Sequence, residues 1–251
     1  MTSHTKINQL LQNLPYGSVV YSSWLKESGY SFSLQQSYRR NGWLSSIGKG
    51  VMLRTGQKLM LSGAIYALQQ RAGFPVHIGG RTALGLLGLA HYLELNRRNT
   101  WLFMPGGTKL PPWLEKNQWD TNPKIITTSF LPVDAGIVSI ELDGFKLKIA
   151  GAARAIMECL EMTPNHFELN EAWEIMQGLN ALNPNTVQQL LVQCKSVKVK
   201  RLFLFFAQKA DHVWFRKLKL DEINLGSGKR SIVSKGVYIP EYKITLPENL
   251  A

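Results

Sequence analysis

The sequence predicts an α+β protein, with an N-terminal winged helix-turn-helix module followed by a larger mixed α+β domain. Three observations lead to that class. Residues 31–54, SFSLQQSYRRNGWLSSIGKGVMLR, read as a short capped helix that runs straight into a hairpin. Between 99 and 149, short apolar runs alternate with Pro, Gly and Asp-Gly turns, the pattern of strands. From 151 onward, apolar positions recur at helical spacing. A chain of 251 residues has room for two domains, and the expected partition is 1–56 for the winged module, 57–73 for a connecting helix and 74–251 for the α+β domain.

In chain order, Ile7, Leu10, Leu11 and Leu14 stand at helical spacing and predict a first helix. Pro15-Tyr16-Gly17 then turns the chain into a short strand at 19–21, and Ser22 or Ser23 is placed to cap a second helix that stops at Gly29. Ser33 with Gln36 forms a Ser-x-x-Gln capping box, and Gly42 supplies a left-handed terminator, so a third helix is expected at 33–41. Two apolar runs, 43–47 and 51–53, flank Gly48-Lys49-Gly50 and predict a hairpin with a lysine at its tip. This order of helix, strand, helix, turn, helix and hairpin is that of a winged helix-turn-helix.

Beyond the wing, Leu61, Ala64, Ile65 and Leu68 predict a helix over 57–71 that Gly73 ends. Residues 74–78 read as a strand, and Thr82 is expected to cap a helix in the small-residue segment RTALGLLGLAHYL. Strands at 99–104 and 124–130 bracket the stretch PGGTKLPPWLEKNQW. Two more, at 137–142 and 145–149, flank Asp143-Gly144, a strong hairpin signal. Helices follow at 151–161, 170–178, 184–194 and 196–210.

Charge directs attention to an anionic partner. The chain carries a formal +12, and within residues 1–56 six cations, Lys6, Lys26, Arg39, Arg40, Lys49 and Arg54, face Glu27 alone. On the 33–41 helix, Leu34 and Tyr38 are expected to face inward, which leaves Gln35, Gln36, Arg39 and Arg40 outside. Arg pairs bidentately with guanine and Gln with adenine, so this face, with Lys49 and Arg54 of the wing, is the candidate contact with double-stranded DNA. Trp43 is assigned to packing. Winged modules also dock proteins, and that alternative stays open beside DNA binding.

In the last third, Glu158, Glu161, Glu168, Glu171 and Glu174 precede a stretch, 195–219, with eight Lys or Arg against Asp211. Two solvated faces account for this; a second basic surface built from Lys198, Lys200, Arg201, Lys229 and Arg230 is the other reading. Cys159 and Cys194 lie far apart without ligand-like neighbours, which suggests neither a disulfide nor a zinc site, and fits a reducing cytoplasm. No apolar run approaches a membrane span, and the start, MTSHTKINQL, lacks the apolar core of a secretory signal. A cytoplasmic location without a membrane partner is expected.

Taken together, the winged module, HIGGRTALGLLGL at 77–89, VKRLFLFFA at 199–207, HVWFRKL at 212–218 and LGSGKR at 225–230 resemble the AbiEi antitoxins of type IV toxin-antitoxin systems over nearly the whole chain. The resemblance implies a bifunctional protein. Its N-terminal domain would repress its own operon at inverted repeats in the promoter, and its C-terminal domain, 74–251, would counter a nucleotidyltransferase toxin without forming a stable complex with it. It implies no cofactor and no small-molecule substrate.

Enzyme readings fit less well. LGSGKR is no phosphate loop, because Ile223 stands where a glycine is needed and Arg230 where a Ser or Thr is needed. Asp134, Glu141, Asp143, Lys146 and Lys148 are the residues a nuclease-like, DNA-processing alternative would use, yet the acid-x-Lys arrangement is absent and exposed hairpin charges account for them. His77 and His91 stand at opposite ends of a glycine-rich helix, and His166 and His212 stand alone, so no metal site and no catalysis are expected.

Overall fold

The computed structural model describes residues 6–89 and 99–251. By contact the chain divides into two compact units: Met1–His77 with Asn96–Thr127 and Ser139–Lys148, and Ile78–Leu95 with Thr128–Val138 and Ile149–Ala251.

The first unit opens with the predicted element order: α1 (Lys6–Gln12), β1 (Val20–Tyr21), α2 (Ser22–Glu27), α3 (Phe32–Arg40), β2 (Leu44–Gly48) and β3 (Val51–Arg54). The three strands form a small antiparallel sheet in the order β1-β3-β2. Leu10, Leu14, Val20, Leu25, Tyr38, Leu44 and Met52 make a continuous core beneath it, with Ile7, Trp24, Tyr30 and Leu34 packed at its edge. Burying that many large apolar side chains, at about 1.5–3 kcal/mol each, gives a module of this size its main stabilisation.

The ends of α2 and α3 are set by glycine. The amides of Gly29 and Tyr30 donate to the carbonyls of Lys26 and Leu25, and those of Gly42 and Trp43 to Arg39 and Tyr38. Both are Schellman closures, which need a left-handed residue after the cap, and the two glycines hold φ at 87° and 70°. The start of α3 differs from expectation. Ser31, not Ser33, caps it: its Oγ accepts from the Leu34 amide at 3.3 Å and lies 2.9 Å from Ser33 Oγ. For α2, neither serine caps by its side chain; Ser22 is its first residue, and the Ser22 amide donates to Gly50 of the wing turn at 2.8 Å.

The predicted helix over 57–71 is shorter and irregular, α4 (Leu61–Tyr66) passing into a π-helical turn at Ala67–Arg71. Asp120 Oδ1 accepts from the first amide of α4, at 2.8 Å. Arg71 lies 4.0 Å from the Trp24 ring centroid and donates to the Val19 carbonyl, and burial lowers its pKa to about 10. The unit's larger sheet has five strands, β4 (His77–Ile78), β5 (Asn99–Met104), β6 (Asn122–Thr127), β7 (Ile137–Leu142) and β8 (Phe145–Ala150), ordered β6-β5-β4-β8-β7 and lying for most of their length in this unit. Strand β4 is shorter than the predicted 74–78, and β6 starts and stops earlier than 124–130. Parallel β5 and β6 are joined through the short helix α6 (Pro112–Lys116). Asp143 and Gly144 both take positive φ, 52° and 78°, as a two-residue hairpin turn requires.

The second unit is mainly helical: α5 (Gly80–Leu86), α7 (Ala152–Met162), α8 (Leu169–Gly178), α9 (Pro184–Gln193) and α10 (Val197–Lys209). The four helices after 151 lie within a residue or two of their predicted ranges. Thr82 does not cap α5 but sits within it; the Glu158 carboxylate of α7 accepts from the Gly80 amide at 2.9 Å instead, placing negative charge at that helix start. Helix α10 is central, with nine buried residues including Phe203 and Phe206. A three-stranded sheet closes the chain, β9 (Arg230–Ser231), β10 (Val237–Ile239) and β11 (Ile244–Leu246), ordered β10-β11-β9.

Candidate nucleic-acid interface

The candidate interface is built on α3 and the wing. Side chains of Phe32, Ser33, Gln36 and Arg39 follow one another on a single stripe of α3, at i, i+1, i+4 and i+7. They line a groove of about 500 Å³ whose other wall is the wing, through Ser46, Gly50, Val51 and Met52, with Ser22 beneath. Gln36, Arg39, Arg40, Lys49 and Arg54 are all exposed. Among the described residues, none of the four cations in that set enters an ion pair. Carboxylates are absent from the groove lining, so its field is positive.

Gln35 is a correction. Expected on the outer face, it is only 2% exposed. Its Oε1 accepts from Ser22 Oγ at 2.5 Å, and its Nε2 donates to the carbonyls of Ser22 at 3.0 Å and Tyr30 at 2.8 Å. The position lies beside Leu34 and three residues before Tyr38, on the inward stripe, and the amide is tolerated there because each of its polar atoms finds a partner. It therefore links the start of α2 to the turn before α3 and fixes how α3 is rotated. Trp43 is the opposite correction: assigned to packing, it is 45% exposed.

The wing is positioned from beneath by α6. A Cβ added to Gly48 would lie 2.5 Å from the Trp113 Cβ, so glycine allows that close approach. Asn117 Nδ2 donates to the Ile47 carbonyl at 2.9 Å and to Trp113 at 2.6 Å. Neither residue carried a sequence signal for this role, because the contact joins segments about seventy residues apart. Phe32 was also missed: it is 56% exposed, where hydropathy alone would bury it.

The five residues of the expected second basic surface do not share a surface. Arg201 is 1% exposed and Lys200 5%. The Arg201 guanidinium donates to the carbonyls of Leu225, Gly226, Gly228 and Lys243, at 2.8, 3.1, 2.6 and 3.0 Å, so the LGSGKR segment forms a cage around it. Lys198 donates to the carbonyls of Glu161 and Thr163. Only Lys229 and Arg230 remain exposed. The charge reading failed because Arg201 and Lys198 satisfy backbone carbonyls inside the fold and Lys200 is buried. Glu158 departs from the solvated-face reading in the same way: it is fully buried against Arg154, Oε1 to Nε 2.8 Å.

The residues weighed for catalysis are dispersed on surfaces or built into packing. Glu141, Asp143, Lys146 and Lys148 are exposed, as is Asp134. His77 is buried and stacked on Phe103 with ring centroids 5.9 Å apart, His212 Nε2 lies 2.7 Å from the Met176 carbonyl, and His91 lies outside the described residues. Both cysteines are free and buried; burial raises Cys194 to about 11 and Cys159 well above the usual thiol value. Among the described residues, no three His, Cys, Asp or Glu side chains come together to hold a metal ion. No helix among them is long and apolar enough to cross a membrane.

Comparison with known proteins agrees in both halves of the chain. Residues 3–95 match a family model described as "Transcriptional regulator, AbiEi antitoxin N-terminal domain", and residues 97–247 match one described as "Transcriptional regulator, AbiEi antitoxin, Type IV TA system". The crystal structure of the RV2827C protein from Mycobacterium tuberculosis is similar with a TM-score of 0.58 and 16% identity, covering 95% of this chain and 88% of that one. At that identity the likeness is one of fold. No curated protein matches the chain.

Proposed function

The chain belongs to the AbiEi family of antitoxins and transcriptional regulators of type IV toxin-antitoxin systems, and from that premise we propose that its N-terminal module, residues 1–56, represses its own operon by binding inverted repeats in the promoter. Helix α3 enters the major groove, Gln36 and Arg39 read base edges, Arg40 and Arg54 take phosphates, and Lys49 at the wing tip reaches the neighbouring backbone or minor groove. Residues 74–251 supply the antitoxin activity, countering a nucleotidyltransferase toxin without a stable complex, in the cytoplasm and without a cofactor or small-molecule substrate. Residues 57–73 connect the two activities.

The observation that carries this reading is the stripe on α3 facing a groove closed by the wing, with the module's cations exposed and free of carboxylates. Duplex DNA fits such a groove because its edges offer donors and acceptors and its rims offer phosphates. The Arg39→Ala, Arg40→Ala double variant should lose specific promoter binding while keeping its fold, at about 1–3 kcal/mol for each true bidentate base contact. It should still rescue growth from the toxin, which separates the two activities in the full chain. Unchanged promoter shifts would refute the DNA reading; loss of rescue with intact folding would refute the division of labour.

A further inference from the structure

Phe32 is the one large apolar side chain on the α3 stripe, and nothing above gives it a partner. It is 56% exposed and lines the groove beside Ser33, Gln36 and Arg39. A single exposed aromatic residue needs no explanation by itself. Three features of its surroundings do ask for one. Phe32 is the first residue of α3, and the N-terminal residues of a helix lying in the major groove are those that contact base edges. The backbone beside it is fixed by the Ser31 cap on Leu34 and by the contact between Ser31 and Ser33. The Lys26 ammonium, on the last turn of α2, stands 5.1 Å from the ring centroid, so a cation restrains the ring and puts a phosphate ligand next to it.

Only one base presents an apolar group in the major groove: the C5-methyl of thymine, which the long reach of a Phe ring can contact where a shorter side chain at the same position cannot. Resting on the reading of α3 as the DNA-contacting helix, we propose that Phe32 is a specificity-determining residue that reads a thymine methyl, with Lys26 binding the flanking phosphate. The remaining stripe then divides naturally. Gln36 and Arg39, one and two turns further along, read polar edges of the neighbouring base pairs.

The test uses the full chain and duplexes carrying its own promoter, made with thymine or with deoxyuridine, which lacks only the methyl. Wild type should bind the deoxyuridine duplex about four-fold more weakly per contacted methyl, the burial value of one methyl group. Phe32→Ala should bind both duplexes equally, whereas Arg39→Ala should bind weakly but keep the four-fold difference. The ring is exposed, so unchanged thermal unfolding of Phe32→Ala checks that the fold is intact. If Phe32→Ala retains the wild-type sensitivity to deoxyuridine, the inference is overturned while the DNA reading stands. If wild type binds neither duplex, the DNA reading itself falls.

Discussion

The hydrogen bonds of Gln35 make Gln35→Glu an informative perturbation. The wild-type amide accepts from Ser22 Oγ and donates to the carbonyls of Ser22 and Tyr30. A carboxylate keeps the first bond but turns both donations into oxygen facing oxygen, in a site only 2% exposed. Losing two bonds and leaving buried carbonyls without a donor costs about 2–4 kcal/mol before charge is considered. Charge adds a term that depends on pH. The buried carboxyl faces two carbonyls, so its folded-state pKa is raised above the unfolded value of about 4.3. Below about pH 4.3 the acid is neutral in both states and donates to one carbonyl, so the deficit is smallest. As pH rises the deficit grows by about 1.4 kcal/mol per unit until the folded pKa is passed. At pH 7.5 this term cannot exceed about 4 kcal/mol, because the group protonates instead of remaining charged. The assay is amide exchange on peptides covering α2 and α3, each compared with wild type at the same pH, at pH 5 and 7.5. Gln35→Leu, which lacks the titrating group, should show a deficit that does not change with pH. Equal protection of wild type and Gln35→Glu at pH 7.5 would show that this amide does not hold α3, and a pH-independent deficit would refute the charge argument.

Three further outcomes follow from the packing. Gly48→Ala places a methyl against the Trp113 Cβ at 2.5 Å; the wing must shift, at about 1–3 kcal/mol, which should appear as faster amide exchange in β2 and β3 and weaker promoter binding. Arg201→Met removes four donations to backbone carbonyls and should destabilise the second unit by about 2–4 kcal/mol, read as increased exchange over 225–230 while α3 stays protected. Cys194, raised by burial to about 11, should be about one part in a thousand thiolate at pH 8; titration with a thiol reagent should find both cysteines unreactive until denaturant is added, and fast labelling of the native protein would contradict the burial.

The parts of the fold legible in the sequence were those set by local backbone chemistry and apolar periodicity. The glycines after α2 and α3 and the Asp143-Gly144 turn mark positions needing positive φ, and α7 to α10 announce themselves by buried stripes. The misplaced polar side chains share one cause, the rule that such side chains face water. Gln35 sits on the inward stripe of α3 with Leu34 and Tyr38, and periodicity without regard to polarity would have placed it there. Arg201 and Glu158 are buried because backbone carbonyls meet the one and the Gly80 amide and Arg154 meet the other, and all of those partners but Arg154 come from distant segments. Trp43 fails in the other direction, being exposed where hydropathy would bury it, and Phe32, to which the sequence assigned no role, is exposed as well. The wing support from Trp113 and Asn117 was out of reach because it depends on tertiary contact alone.

The same point alters where the antitoxin surface should be sought. The segments that carry the family resemblance in the second unit are structural where their contacts are known. Gly80 donates to buried Glu158, and Arg81 pairs with Glu171 at 2.9 Å. The cage for Arg201 is made by Leu225, Gly226 and Gly228 together with Lys243. Trp214 donates to the Leu179 carbonyl at 2.7 Å and stacks on His212. If residues 74–251 carry the antitoxin activity as proposed, substituting these residues should remove it by damaging the fold, so such a loss would say nothing about which surface acts. The segments identify the fold, and on the proposal that residues 74–251 carry the antitoxin activity, its surface is to be sought among exposed side chains outside these contacts, Arg230 among the cations.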